Sequence, residues 1–216
     1  MAPFWYLAVA GLILAAAGCI PRSGPSLLEK AREVSAREPA EARRLYGEII
    51  RTSPGTEIAV EASYRLGLLH LQSGKTDAAL EQFREATATS LASVYKTAAH
   101  IELLGIEESD RPETIDRLWE LTDELKQSTG PVKPAIQRGL FYIAKTACNT
   151  QDWNTVLTAA DACDTRFLDS EMTIKLEFYR GTSLGRINQN RKSIQVLTSI
   201  LGPDNPLNIE TLSELI

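Results

Sequence analysis

Histidine and cysteine are scarce in this chain: His70 and His100 are its only imidazoles, and Cys19, Cys148 and Cys163 its only thiols, among 216 residues. So few imidazoles exclude a histidine-rich metal centre, and the cysteines show none of the paired spacings that bind zinc. A glycine-rich phosphate loop and the strand-to-helix serine turn of hydrolases are also missing, and helical spacing forces no pair of carboxylates together. The sequence therefore offers no catalytic constellation and calls for no cofactor. Positive charge is in deficit, with 23 Lys and Arg against 28 Asp and Glu and a net charge of −5, which speaks against a general nucleic-acid binder. Charge of either sign is absent from residues 1–20.

That uncharged opening closes on Leu14-Ala15-Ala16-Ala17-Gly18-Cys19. A short apolar stretch partitions into an export channel, and small residues ahead of the cleavage point admit the backbone to a peptidase cleft. Ala17 and Gly18 meet the second requirement. The segment resembles the lipobox of bacterial lipoprotein signals, with Ala16 where Leu is usual. The resemblance implies removal of residues 1–18, acylation of Cys19 and, because Ile20 instead of Asp follows the cysteine, sorting to the periplasmic face of the outer membrane. Each buried methylene contributes about 0.8 kcal/mol, so several acyl chains hold where one exchanges. A secretory signal with an unmodified product would leave Cys19 without a purpose. The competing reading is an uncleaved membrane helix ahead of a cytoplasmic domain. The stretch barely reaches the roughly 20 residues needed to span. However, no Lys or Arg precedes it while Arg22, Lys30 and Arg32 follow, as an inner-membrane anchor of that orientation would require.

From Ser63 to Ala86 the chain reads SYRLGLLHLQSGKTDAALEQFREA. The segment resembles a tetratricopeptide repeat, in which two antiparallel helices meet at small residues. Gly67 takes the place of closest approach, Ala79 and Ala86 the small positions of the second helix, Phe83 the filler between pairs, and Gly74 a turn of positive φ. Leu66 completes the match. Upstream, Leu27, Ala31 and Val34 recur at helical spacing, and Ala42, Tyr46 and Ile49 precede a stop at Pro54. Downstream, Leu140, Ile143, Ala144 and Ala147 pair with Trp153, Val156, Leu157, Ala160 and Cys163. Gly181 and Leu184 then pair with Ile194, Leu197 and Ile200. Between these lies a divergent pair, roughly residues 91–107 and 112–127, with Ile115, Leu118, Trp119, Leu121 and Leu125 at a 3.6-residue period. Asp110 and Glu113 have the spacing of a capping box at the start of its second helix. In its first helix either Ala98 or Ala99 can be the close-contact residue.

The reading is an all-α chain. The resemblance implies a right-handed superhelix of about five antiparallel helix pairs over residues 26–202, after a signal at 1–18 and a lipidated linker at 19–25. Residues 203–216 follow as an extension, with Ile209 to Ile216 as a short closing helix. The alternative is an ordinary helical bundle. In the repeat register Cys148 and Cys163 lie near opposite ends of their helices, beyond the roughly 7 Å Cα separation a bridge tolerates. Both are expected as buried fillers without a disulfide.

In such an array the first helix of each pair lines one surface. The register places Tyr64, Leu68 and Leu71 there, then Arg138, Phe141 and Lys145, then Lys175, Phe178 and Arg186. Aromatics recur at one repeat position as Tyr64, Phe141 and Phe178. Flanked by Arg and Lys, they suit an extended or helical peptide, with area from the rings and orientation from the charges. Alternatively the rings pack between neighbouring pairs. The stretch PGTEIAVEASYRLG from Pro54 to Gly67, together with the lipobox, resembles the repeat lipoproteins of outer-membrane assembly. That likeness implies a protein-interaction scaffold anchored by acyl chains on Cys19, with a protein or peptide in the groove and no nucleic-acid partner.

Overall fold

The structure is a computed structural model that describes residues 23–200, with side-chain surroundings from Ser26 onward. The signal segment, Cys19 and the extension at 203–216 lie outside the described residues. Ten α-helices follow one another: α1 Ser23–Val34, α2 Pro39–Thr52, α3 Glu57–Gln72, α4 Thr76–Thr87, α5 Val94–Glu107, α6 Glu113–Lys126, α7 Lys133–Asn149, α8 Trp153–Ala162, α9 Ser170–Arg186 and α10 Asn190–Ile200. A short 3-10 turn, Thr165–Phe167, joins α8 to α9. Among the described residues there is no strand, and no helix is long and apolar enough to cross a membrane.

Local chemistry sets these boundaries. Thr56 caps α3 by accepting from the Ala59 amide, Asp152 caps α8 by accepting from Thr155, and Asp169 caps α9 by accepting from Met172 at 2.8 Å. Pro39 opens α2, where its missing N–H goes unneeded. One expected cap does not form. α6 starts at Glu113 behind Pro112, whose backbone is already helical, and no side chain caps it. Asp110 is left in the turn before that proline instead of joining Glu113 in a capping box. At the amino-terminal end, α1 begins at Ser23, so the stretch between Cys19 and the first helix is shorter than the expected linker at 19–25.

Three of the hairpin turns are the same object. Gly74, Gln151 and Asn188 each stand two residues past a helix end with φ of 69°, 62° and 64°. In each turn the following amide reaches back to the carbonyl five residues earlier: Lys75 to His70, Asp152 to Ala147 and Gln189 to Leu184. This is the left-handed termination that satisfies carbonyls orphaned at a helix C-terminus. The α5–α6 connection is longer and lacks it.

Packing is sequential. Each helix lies against the next in chain order, and the odd-numbered helices also touch one another in the series α1, α3, α5, α7, α9. Each of α2, α4, α6 and α8 is thereby seated between two successive odd helices. The core divides along the chain. Leu28, Leu45, Tyr46 and Ile49 pack with Ala62, Leu66 and Leu69 on one side of α3, while Val60 and Tyr64 on its other side open a second cluster that runs to Leu176 in α9. α10 has α9 alone as its neighbour among these contacts. That explains Ile194, expected in the core and found 63% exposed, since nothing among the described residues covers its face.

Helix pairs approach closely where glycine faces a large side chain sixteen residues on. A Cβ built on Gly67 would stand 2.4 Å from the Phe83 ring, and one on Gly181 would stand 2.6 Å from Leu197. Phe83 is fully buried, a placement worth roughly 1.5–3 kcal/mol, and the missing Cβ makes room for it. Cys148 and Cys163 are free and half-buried. Burial raises both thiols, and nearby Asp164 and Glu177 help push Cys163 to about 11, so neither is a reactive thiolate at neutral pH.

Three substitutions followed by urea melts test this packing. Gly67→Ala destabilises by about 1–3 kcal/mol through overpacking, whereas Gly47→Ala in α2, with nothing within 4 Å of the added methyl, is neutral or stabilising by up to about 1 kcal/mol. Gln151→Gly stabilises by about 1 kcal/mol, because it relieves a left-handed backbone that a side chain resists.

Candidate functional site: a groove on the odd-helix layer

The odd helices enclose a groove of about 720 Å³. Leu68 and Leu71 of α3 and Ile106 of α5 form one side, Phe141 and Lys145 of α7 the floor, and Met172 at the start of α9 the other side. At the rim Phe167 is 38% exposed with the Lys133 ammonium 5.9 Å from its ring centre. Six of the nine expected contact residues, Leu68, Leu71, Arg138, Phe141, Lys145 and Lys175, are thus brought together.

The other three lie elsewhere. Tyr64 is only 6% exposed, and its ring stands 6.0 Å from those of both Phe83 and Tyr95. It holds α3, α4 and α5 together. Phe178 is half-buried against the edge of Tyr179, and Arg186 covers the Trp153 ring at 5.9 Å near the hairpin turn of α9 and α10. The recurring aromatics therefore do not form one ladder. Each packs with a local neighbour, and of the three only Phe141 reaches the groove.

Beneath the floor lies an ion pair with no counterpart among the sequence expectations. Glu102 of α5 has a side chain with no exposed surface, and Arg138 of α7 grips it with two parallel hydrogen bonds, from Nε and, at 2.6 Å, from Nη2. The Tyr142 hydroxyl donates to the same carboxylate at 2.8 Å. Tyr142 fits there because Gly105 has no side chain: a Cβ on Gly105 would meet the ring at 2.1 Å. Burial works against the Arg138 charge, yet the adjacent Glu102 carboxylate holds its pKa well above the ordinary value, while burial and the same carboxylate raise Tyr142. A lone acid inside the apolar run Ile101-Glu102-Leu103-Leu104 was the available signal, since such a residue needs a partner.

A second network ties α1 to α3. Arg32 grips Glu61 through Nε at 2.7 Å and through Nη2, and Arg65 donates to the same carboxylate. Burial pushes Glu61 upward, but the hydrogen bonds from the two arginines outweigh it, so its carboxyl lies below the usual range. Arg65 also stands 5.8 Å from the Tyr95 ring centre on α5.

Groove residues from α7 and α9 carry the remaining charge. The Lys145 ammonium donates to the Gly105 carbonyl at 3.0 Å and lies 5.9 Å from the Tyr142 ring centre. Burial and the nearby Lys175 lower its pKa. Among the described residues no group of three or more His, Cys, Asp or Glu is placed to hold a metal ion.

No protein family, no curated protein and no solved structure matches this chain. Its own groove and sequence therefore carry the functional argument.

Truncating either partner of the Glu102–Arg138 pair leaves a buried uncompensated charge, so Glu102→Ala and Arg138→Ala should each destabilise by about 3–5 kcal/mol. The double variant Glu102→Met with Arg138→Leu should recover most of that loss. A double-mutant cycle by chemical denaturation gives the coupling directly.

Proposed function

We propose that this chain is a lipid-anchored periplasmic scaffold of the tetratricopeptide type, a superhelix of about five helix pairs that presents its groove to a protein partner. The observation that carries the reading is the groove itself, built by α3, α5, α7 and α9 across successive pairs and lined by apolar side chains together with the cations Arg138, Lys145 and Lys175 and the acids Asp169 and Glu171. The sequential packing, the core divided at α3 and the turn repeated at Gly74, Gln151 and Asn188 favour a repeat array over a bundle with one central core. Binding is then the whole activity, and enzymatic function is not part of the proposal.

The anchor rests on the lipobox ending at Cys19. With α1 beginning at Ser23, four residue steps separate the acylated position from the first helix, at most about 14 Å when extended. The first pair thus works against the bilayer, and the partner belongs to the same outer membrane or emerges from it, as in the repeat lipoproteins of envelope assembly that the sequence resembles. The second reading, an uncleaved inner-membrane helix with the array in the cytoplasm, is favoured by the basic residues that follow the apolar stretch.

Intact mass of the membrane-extracted protein separates the two. Loss of residues 1–18 with added acyl mass is expected, and retention of Met1 to Gly18 would establish the second reading instead. Cys19→Ser should move the folded protein from the membrane to the soluble envelope fraction, and unchanged membrane association would end the lipidation proposal.

A further inference from the structure

Resting on the reading that the groove is the binding surface, we propose that its occupant is an acidic, apolar peptide segment of a partner protein, with two carboxylates about 10 Å apart flanking one apolar side chain. The spacing comes from α7. Arg138, Phe141 and Lys145 follow one another by three and four residues on one helix face, so the two cations are separated by seven residues, about 10 Å along the axis, with Phe141 at the position between them and the Tyr142 ring 5.8 Å from the Arg138 guanidinium and 5.9 Å from the Lys145 ammonium.

Both cations retain donor capacity. Arg138 spends Nε and Nη2 on Glu102, but Nη1 meets only the Met172 sulfur at 3.2 Å, and a thioether is a weak acceptor. Lys145 has three donors, one of which goes to the Gly105 carbonyl, and no carboxylate pairs with it among the described residues.

Two acids, Asp169 and Glu171, line the groove as well, and each is engaged by a neighbour within it. Glu171 pairs with Lys175 at 2.6 Å, and Asp169 accepts the Met172 amide. Lys145 is half-buried, and burial disfavours its charge; an incoming carboxylate would offset that penalty with a charge-assisted hydrogen bond. The side of the groove built by α3 and α5 is mainly apolar, with Leu68, Leu71 and Ile106 beside the polar Gln72. A free small anion would leave that surface wet, whereas a peptide fills it and brings its acids to both cations.

The test pans a random dodecapeptide library displayed on phage against the full-length protein in detergent. Enriched peptides should carry Asp or Glu next to Leu, Ile, Phe or Met. Synthetic copies should bind Lys145→Met about tenfold or more weaker, and binding to the unaltered protein should weaken as salt rises. Circular dichroism confirms that the variant is folded, and if it is not, the salt dependence of the unaltered protein decides. Enriched peptides without acids, or with affinity indifferent to salt and to Lys145, would overturn the charge inference and leave the scaffold reading standing. No enrichment at all would count against both.

Discussion

The grip of Arg138 on Glu102 is the constraint on which the groove depends. Glu102 is withdrawn from water and Arg138 keeps only a small exposed edge on the groove, and such a pair tolerates little displacement, because a small slide of α7 along α5 would leave a charge in the core without its hydrogen bonds. Apolar packing alone is more permissive, since buried methyl groups accept many registers. Tyr142 adds a third point of attachment to the same carboxylate, and the absent side chain at Gly105 lets its ring settle. The register thus fixed places Ile106 of α5 and Phe141 of α7 on the same groove. The Arg32–Glu61–Arg65 cluster performs the same service two steps earlier, between α1 and α3.

Much of the fold was legible because it depends on local rules. A glycine where two helices meet and a large residue sixteen positions on give the Gly67–Phe83 contact, and the same rule gives Gly181–Leu197. Gly74 announces its turn. Gln151 and Asn188 adopt the same backbone without glycine; the helix ends dictate the turn, and the residue accepts the strain. Asp110 and Glu113 had the spacing of a cap, but Pro112 between them starts the helix on its own. Ile194 shows the limit of periodicity: an apolar residue at the right interval is buried only when another element covers it.

The candidate site was half legible for a related reason. Periodicity tells which face of a helix is apolar, and so it found Leu68, Leu71, Phe141 and Lys145. It does not tell whether a ring on that face ends in the groove or against the next helix. That choice turned on the neighbours. Phe83 and Tyr95 close over Tyr64, and Tyr179 packs beside Phe178, while Phe141, packed against Tyr142 and Tyr179, still borders the groove. Glu102 and Arg138 are thirty-six residues apart, and no local pattern joins them.

The two ion clusters also connect the ends of the described fold. Arg32 lies on α1, the first helix after Cys19 in the chain, and its partner Glu61 lies on α3, two turns before the segment that carries Leu68 and Leu71 to the groove. Arg65, one turn after Glu61, reaches the Tyr95 ring of α5, and α5 carries Glu102 to α7. Each link is a directional contact whose geometry is set at both ends, so the orientation of α1 is passed through α3 and α5 to the floor of the groove. A chain held by its first helix would then present the groove at a fixed angle to whatever holds it. An array joined by apolar contacts alone would bend more freely at each pair, and the angle would be lost within a few helices.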